Sequence, residues 1–436
     1  MTDAQLTGVH LLAAEVVKIM PKKFFTLLII ALVIFSMNAA IVFANKKGDE
    51  MKNLSDTVNN FSWEYYKTLD KTKNIFYSPY GIAAALSIIA NGSTGDTQKE
   101  ILSALSATST ENLNDSFKKF HENVAANYTV NIFKESNLML VNQNFIGNGI
   151  NPTFKNVLTN VYGSEIRSAD FNGNLEGEKE KISAWVDEST NHFIPKYQSS
   201  VTADTIVDIL NVVYFKGEWE DKFEAAYTDK SDFTDINGNK SGVDMMSKTF
   251  DEKIPYYEDE KYKAVALPYK KNDSDVTAAM YIILPRDDEA LNIAESWGNE
   301  SVDYRKDFLN NLDAAQIFDG EVILTLPKFE MDIKNSLKES LISMGIKCAF
   351  TNDAEFSDII KNVQLKIDSI THQAKVKVDE QGTEAAAVTE INMIAGCAPM
   401  PKKSLEFIVD RPFIFVIRDV PSGIDLFAGA VNEIVN

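Results

Sequence analysis

The chain has 436 residues, 45% hydrophobic and 10% aromatic, enough to bury a large core and, by length alone, to build one, two or three domains. Its 63 acidic against 43 basic residues give a formal charge of −20, which repels phosphate backbones and anionic membrane surfaces and argues against nucleic acid as a partner. The two cysteines, Cys348 and Cys397, are too few for a disulfide scaffold, lack the paired spacing of a metal site and read as free thiols.

In chain order the first signal is an address. Met20-Pro21-Lys22-Lys23 is followed by an apolar stretch from Phe24 to Met37 and by Ala39-Ala40-Ile41-Val42-Phe43-Ala44 before the polar Asn45-Lys46-Lys47. A basic start, an apolar core and a small residue at Ala44 predict a secretory signal peptide over 20–44, cut after Ala44, with an extracellular destination and an upstream extension over 1–19. Phe24 to Ala44 is also a run of 21 uncharged residues, so a membrane anchor over 24–44 is the alternative. No long Pro/Gly/Ser linker, repeat or low-complexity tract follows, so residues 45–436 are expected to form one domain.

Helical signals dominate its first third. Ser78-Pro79 caps and opens an apolar run from Ile82 to Ala90 that Gly92 closes, and its apolar residues lie all round, so that helix is buried. Thr97-Gln98-Lys99-Glu100 reads as a capping box before Ile101. Asn151-Pro152 opens a helix with Phe154, Val157, Leu158 and Val161 on one side, and a longer one runs through Ile182, Trp185, Val186 and Ser189. Strand signals follow at Ile206 to Phe215, Val276 to Leu284, Val322 to Leu326, Phe413 to Ile417 and Leu426 to Val431; several are continuously apolar, which implies sheets covered on both faces. The order predicts an α+β layer fold with large sheets.

Catalytic signatures are missing. The four histidines, at 10, 121, 192 and 372, come without HExxH, GxSxG or CxxC patterns, and Asn91-Gly92-Ser93-Thr94-Gly95 is too short and lysine-poor for a phosphate loop and links two helices instead. No enzyme, cofactor or metal is expected. Lys118 and Lys119 beside His121 lie among Glu111, Asp115 and Glu122, a solvated helix face rather than a heparin-like site.

The unusual segment is Val378-Asp379-Glu380-Gln381-Gly382-Thr383-Glu384-Ala385-Ala386-Ala387-Val388-Thr389-Glu390-Ile391. Its alanines and glutamates suit a short helix. At period two, Thr383, Ala385, Ala387 and Thr389 share one small-residue face while Glu384, Ala386, Val388 and Glu390 share the other, the pattern of a strand able to slide between two others.

From about Asn53 onward the chain resembles a serpin. The resemblance is carried by Asn74-Ile75-Phe76-Tyr77-Ser78-Pro79, by Lys181-Ile182-Ser183-Ala184-Trp185-Val186 ahead of Thr190, and by Leu210-Asn211-Val212-Val213-Tyr214-Phe215-Lys216-Gly217-Glu218-Trp219 with Phe223. Leu326-Pro327-Lys328-Phe329, the stretch from Leu337 to Phe350, Asp410-Arg411-Pro412-Phe413 and Phe427-Ala428-Gly429-Ala430-Val431 complete it. It implies three β-sheets with about eight or nine helices, and an exposed reactive-centre loop at about 380–405 that a serine protease cleaves as substrate. The loop then inserts into the main sheet and traps the covalent acyl-enzyme. It further implies a hinge of Glu380, Gly382 and Thr383 followed by Ala385, Ala386, Ala387, Val388 and Thr389, none charged or bulky at an inward position, which marks the inhibitory type. Val388 is larger than usual but points outward. The family register puts the reactive bond between Gly396 and Cys397, and Ala398-Pro399-Met400-Pro401 beyond it suits a prokaryote-like secreted member. A small residue before the bond implies elastase-like or subtilisin-like targets; a shifted register makes Met393, Ile394 or Met400 the bait. Ser78, Asn211, Trp219 and His372 resemble the region where the sheet opens, with Gly81 where the family has a second serine. A monomer is expected, and a non-inhibitory carrier or chaperone is the alternative reading.

Overall fold

The computed structural model describes residues 53–434 apart from 148, 272–275 and 384–402. Among the described residues it has nine α-helices and three β-sheets, the α+β architecture and the helix number expected from sequence.

The sheet that positions the site runs in the order β11 (Phe329–Ser336), β12 (Ile367–Asp379), β13 (Gly382–Thr383), β4 (Val207–Glu218), β2 (Ile132–Asn142) and β3 (Glu165–Ala169). A second six-stranded sheet is ordered β1 (Ile75–Tyr77), β16 (Ile424–Val431), β15 (Phe413–Asp419), β9 (Ala278–Pro285), β8 (Tyr262–Pro268) and β7 (Tyr256–Glu258). Every residue of β9, β15 and β16 is buried, as their apolar runs require, and the charges these strands also bury include Arg418 and Asp425, paired at 2.7 Å. The third sheet, β14 (Ser404–Ile408), β10 (Glu321–Pro327), β6 (Lys240–Asp251) and β5 (Thr228–Thr234), is more polar and faces solvent on one side.

The Pro79–Gly92 helix ties two of these sheets together, packing on both β16 and β4. Ser78 is its N-cap, with Oγ accepting from Gly81 N–H at 3.0 Å, and Pro79 occupies the first turn, where a missing N–H costs nothing. Asn151 caps the Pro152–Tyr162 helix through Thr153 N–H, and Phe154, Leu158 and Tyr162 form its buried stripe. The capping box expected at Thr97 is corrected. That helix begins two residues earlier, at Gly95, and Thr97 Oγ1 accepts instead from Glu355 N–H at 3.0 Å. Glu100 also turns away from its own helix end and accepts from the N–H groups of Lys347 and Cys348, both at 2.7 Å, so tertiary donors displace the local motif.

Candidate functional site

The main sheet carries an irregularity at its centre. β12 and β4 are parallel neighbours from Ile367 opposite Val207 to Ala374 opposite Val213, then part. Into the opening comes β13, antiparallel to both: Thr383 faces Val378 on one side and Gly217 on the other, and Gly382 faces Asp379 and Glu218. A segment antiparallel to two strands that are parallel to each other is the one arrangement that lets a chain fold back from the end of β12 and bond on both sides.

Local chemistry dictates this turn. Gly382 sits at φ +153°, and a Cβ there would fall 2.0 Å from the Gly217 carbonyl oxygen, so the backbones approach too closely for any other residue. Asp379 Oδ1 accepts from Gln381 N–H at 2.9 Å, an Asx-type turn. Burial raises the Asp379 pKa, partly offset by that bond. The carbonyls of Asp379, Glu380 and Gln381 are taken by Trp219 Nε1–H, Phe223 N–H and Trp219 N–H at 2.9, 3.0 and 2.9 Å. Glu380 is pinned at its head, where Lys328 lies 2.9 Å from Oε2 and Thr228 Oγ1–H donates to Oε1 at 3.0 Å. Burial raises the Glu380 pKa, but the Lys328 and Thr228 contacts outweigh it and the net shift is downward, holding the carboxylate charged. The Thr383 side chain is buried, its hydroxyl 2.7 Å from Tyr269 OH, and Tyr269 stacks on Trp219 with ring centroids 4.6 Å apart.

Lower in the sheet, where β12 and β4 are still paired, a buried polar chain crosses it. Ser78 N–H donates to His372 Nε2 at 2.9 Å. A backbone N–H can only donate, so Nε2 carries no proton, and the ring's hydrogen sits on Nδ1 and is given to Asn211 Oδ1 at 2.7 Å. Asn211 Nδ2–H donates to Asn137 Oδ1 at 2.7 Å, and Asn137 Nδ2–H to Ser164 Oγ at 3.2 Å and to Glu135 Oε1. Ser78 Oγ–H closes the other end on the Leu426 carbonyl at 2.6 Å. His372 is fully buried without a charged partner, and desolvation lowers its pKa to about 3, so the chain's direction and the neutral ring agree.

Ser78, Asn211 and His372 thus lie in one network, while Trp219 joins Glu380, Gly382 and Thr383 at the opening above it. Gly81 is explained by space: a Cβ would meet Val213 Cγ2 at 2.5 Å and Asn211 Oδ1 at 2.6 Å. The remaining positions singled out from sequence, Ala385, Ala386, Ala387, Val388, Thr389, Gly396 and Cys397, lie outside the described residues, as does 20–44. Sequence reasoning missed Tyr269, Lys328, Thr228, Asn137 and Glu135. Lys328 stood in a quoted motif, but nothing local links it to Glu380, 52 positions on. Cys348 is a half-buried free thiol donating to Glu100 Oε1 at 3.1 Å. Among the described residues no group of His, Cys, Asp and Glu side chains could hold a metal, and no helix is long and apolar enough to cross a membrane.

Comparison with known proteins agrees with the geometry. The family model Serpin (serine protease inhibitor) matches residues 56–434. Ipis-1 of Ixodes persulcatus is 33% identical over 389 residues, covering 88% of this chain and 99% of that protein. The crystal structure of the thermophilic serpin tengpin in its native state superposes with a TM-score of 0.76 at 27% identity, covering 87% of this chain and 93% of tengpin. Thyroxine-binding globulin complexed with thyroxine superposes at 0.75 with 23% identity, covering 88% and 99%, a likeness of fold.

Proposed function

The chain belongs to the serpin family, and from that premise we propose that it is a suicide inhibitor of serine endopeptidases, acting by inserting its cleaved reactive-centre loop into the main sheet. The observation that carries this reading is β13. Gly382 and Thr383 already occupy the slot between β12 and β4, bonded on both sides. Continued insertion of Ala385, Ala386, Ala387, Val388 and Thr389 would replace one parallel ladder with two antiparallel ones, at about 1 kcal/mol net per added hydrogen bond. Small side chains at the inward positions leave the layer beneath undisturbed, and outward Val388 favours a strand.

On this reading the inhibitor supplies no catalytic residue. A protease acylated at Gly396, with Cys397 leaving, is carried off by the moving strand before water completes hydrolysis, and the energy comes from a native state held by a barrier. Gly396, with Ala395 and Ile394 before it, suits elastase-like or subtilisin-like specificity pockets, and the segment 20–44 fits export of the inhibitor from the cell. To test it, the full chain is cleaved with subtilisin, the new N-terminus is sequenced and the product is melted. An N-terminus at Cys397 with a large rise in melting temperature is expected. Cleavage at that bond with no rise would assign the chain to the carrier or chaperone type.

A further inference from the structure

The Thr110–Asn127 helix meets the main sheet at a pair of ionisable side chains, its own His121 and Glu135 of β2. Their exposures differ. The imidazole is 30% exposed, so solvent protons reach it, whereas the carboxylate is 1% exposed and closed to solvent. Glu135 Oε1 accepts from Asn211 Nδ2–H at 3.3 Å and from Asn137 Nδ2–H, which ties it into the chain that leads to His372. Oε2 has no hydrogen bond, and His121 Nε2 lies 3.7 Å from it. A buried carboxylate oxygen without a donor is costly, and the imidazole is the group placed to supply one.

The ring's other contacts decide where a proton adds. Nδ1 is 2.8 Å from the Val161 carbonyl oxygen, which can only accept, so Nδ1 carries a hydrogen in both charge states. Nε2 of the neutral ring is then bare and accepts from Tyr80 O–H at 2.9 Å. Protonation adds the second hydrogen at Nε2, beside Glu135 Oε2, and a small closing movement turns that approach into a charge-assisted hydrogen bond. The titratable and charged groups around the ring are Glu135 and Lys134 on β2, Tyr80 from the Pro79–Gly92 helix and Tyr162 from the Pro152–Tyr162 helix. Burial holds both phenols protonated, so Glu135 is the acid that His121 answers to. Burial lowers the His121 pKa, but Glu135 and the Val161 carbonyl outweigh it and the net shift is upward.

We propose that His121 and Glu135 form a pH-operated latch between the Thr110–Asn127 helix and the main sheet, closed when Nε2 is protonated and slack when it is bare. Closed, it fastens the helix to β2 and through β2 to β4, since those strands are paired from Ile132 opposite Lys216 to Val141 opposite Val207. β4 has to part from β12 for the loop to enter, so the closed latch resists insertion and a rise in pH releases it. That consequence rests on the proposed inhibitory mechanism, whereas the latch itself does not.

The test uses the intact full chain without protease. Ring signals of the four histidines are followed by NMR from pH 5 to pH 9, and His121→Gln identifies the signal of position 121. Its midpoint is expected above the 6.5 of an exposed imidazole, and Glu135→Gln, which keeps an acceptor for both asparagines, should lower it by at least about one pH unit. Heat stability carries the sign. A pKa raised by folding gives stability that is full below pH 6.5 and is lost as pH rises through the folded midpoint, so the parent should lose more melting temperature between pH 6 and pH 9 than His121→Gln does. This comparison stands even where Glu135→Gln folds poorly. A His121 midpoint at or below 6.5, a midpoint that Glu135→Gln leaves unchanged, or equal pH dependence of melting in the parent and His121→Gln would overturn the latch.

Discussion

His372 stands where β12 and β4 are still joined, and its neutrality has a consequence for acid stability. With a native pKa of about 3 against 6.5 when exposed, the unfolded chain binds a proton between those values that the native chain does not. Stability is therefore full above pH 6.5 and falls as pH drops, at about 1.4 kcal/mol per pH unit from this group alone. Asp208, on β4 and bonded to Ser369 across the same pair of strands, has the opposite sign: burial, only partly offset by Ser369, raises its pKa to about 6 from 3.8. There the native chain takes up the proton first, so this contribution is present at low pH and lost as pH rises toward 6. The two slopes offset between pH 6 and 3.8. Asp208→Asn should consequently steepen the loss of stability on acidification, read as the urea midpoint at pH 6.5, 5.5 and 4.5, and a slope equal to the parent's would contradict the assignment. Thr383 gives a second prediction at this scale. Its hydroxyl is buried on Tyr269 OH, so an arginine there strands a charge at a cost of several kcal/mol. Thr383→Arg should leave loop cleavage intact and abolish any covalent protease complex, measured on denaturing gels.

The turn from β12 into β13 is held by one partly buried ion pair and by backbone groups. Glu380→Lys sets like charges against each other at Lys328 and removes the acceptor of Thr228. The hinge should leave its slot, exposing the unpaired edges of β12 and β4 as templates for another chain. Warming the variant should yield higher-order species on native gels at a temperature where the parent's migration is unchanged; equal behaviour of the two would mean the pair does not hold the turn. How well elements were legible follows from their surroundings. β4, β9, β15 and β16 were visible because their apolar runs lie in doubly covered sheets, and β10 because its residues from Val322 to Leu326 are β-branched or aliphatic although only alternate ones are buried. β12 and β2 were not, because His372, Gln373, Glu135, Ser136 and Asn137 break their apolar pattern, and His372, Glu135 and Asn137 among them belong to the crossing network. The period-two reading runs over 383–390, of which the described residues include Thr383 alone, at the end of β13. The short third-sheet hairpin of β5 and β6, polar on its outer side, also left no clear run.

For the whole molecule, fold and family were readable from dispersed motifs, while the partners in the site were not. Lys328, Thr228 and Tyr269 reach the hinge from strands or loops 52 to 152 residues away, and only tertiary pairing brings them there. The global claim is that folding energy is withheld in the native sheet and released on loop cleavage. The direct measurement is to mix the full chain with subtilisin and with pancreatic elastase and run the products on denaturing gels. The account predicts a stable band near the summed mass of the 48.6 kDa chain and the protease, formed with at least one of them. Complete cleavage between Gly396 and Cys397 by both enzymes, with no such band, would contradict it.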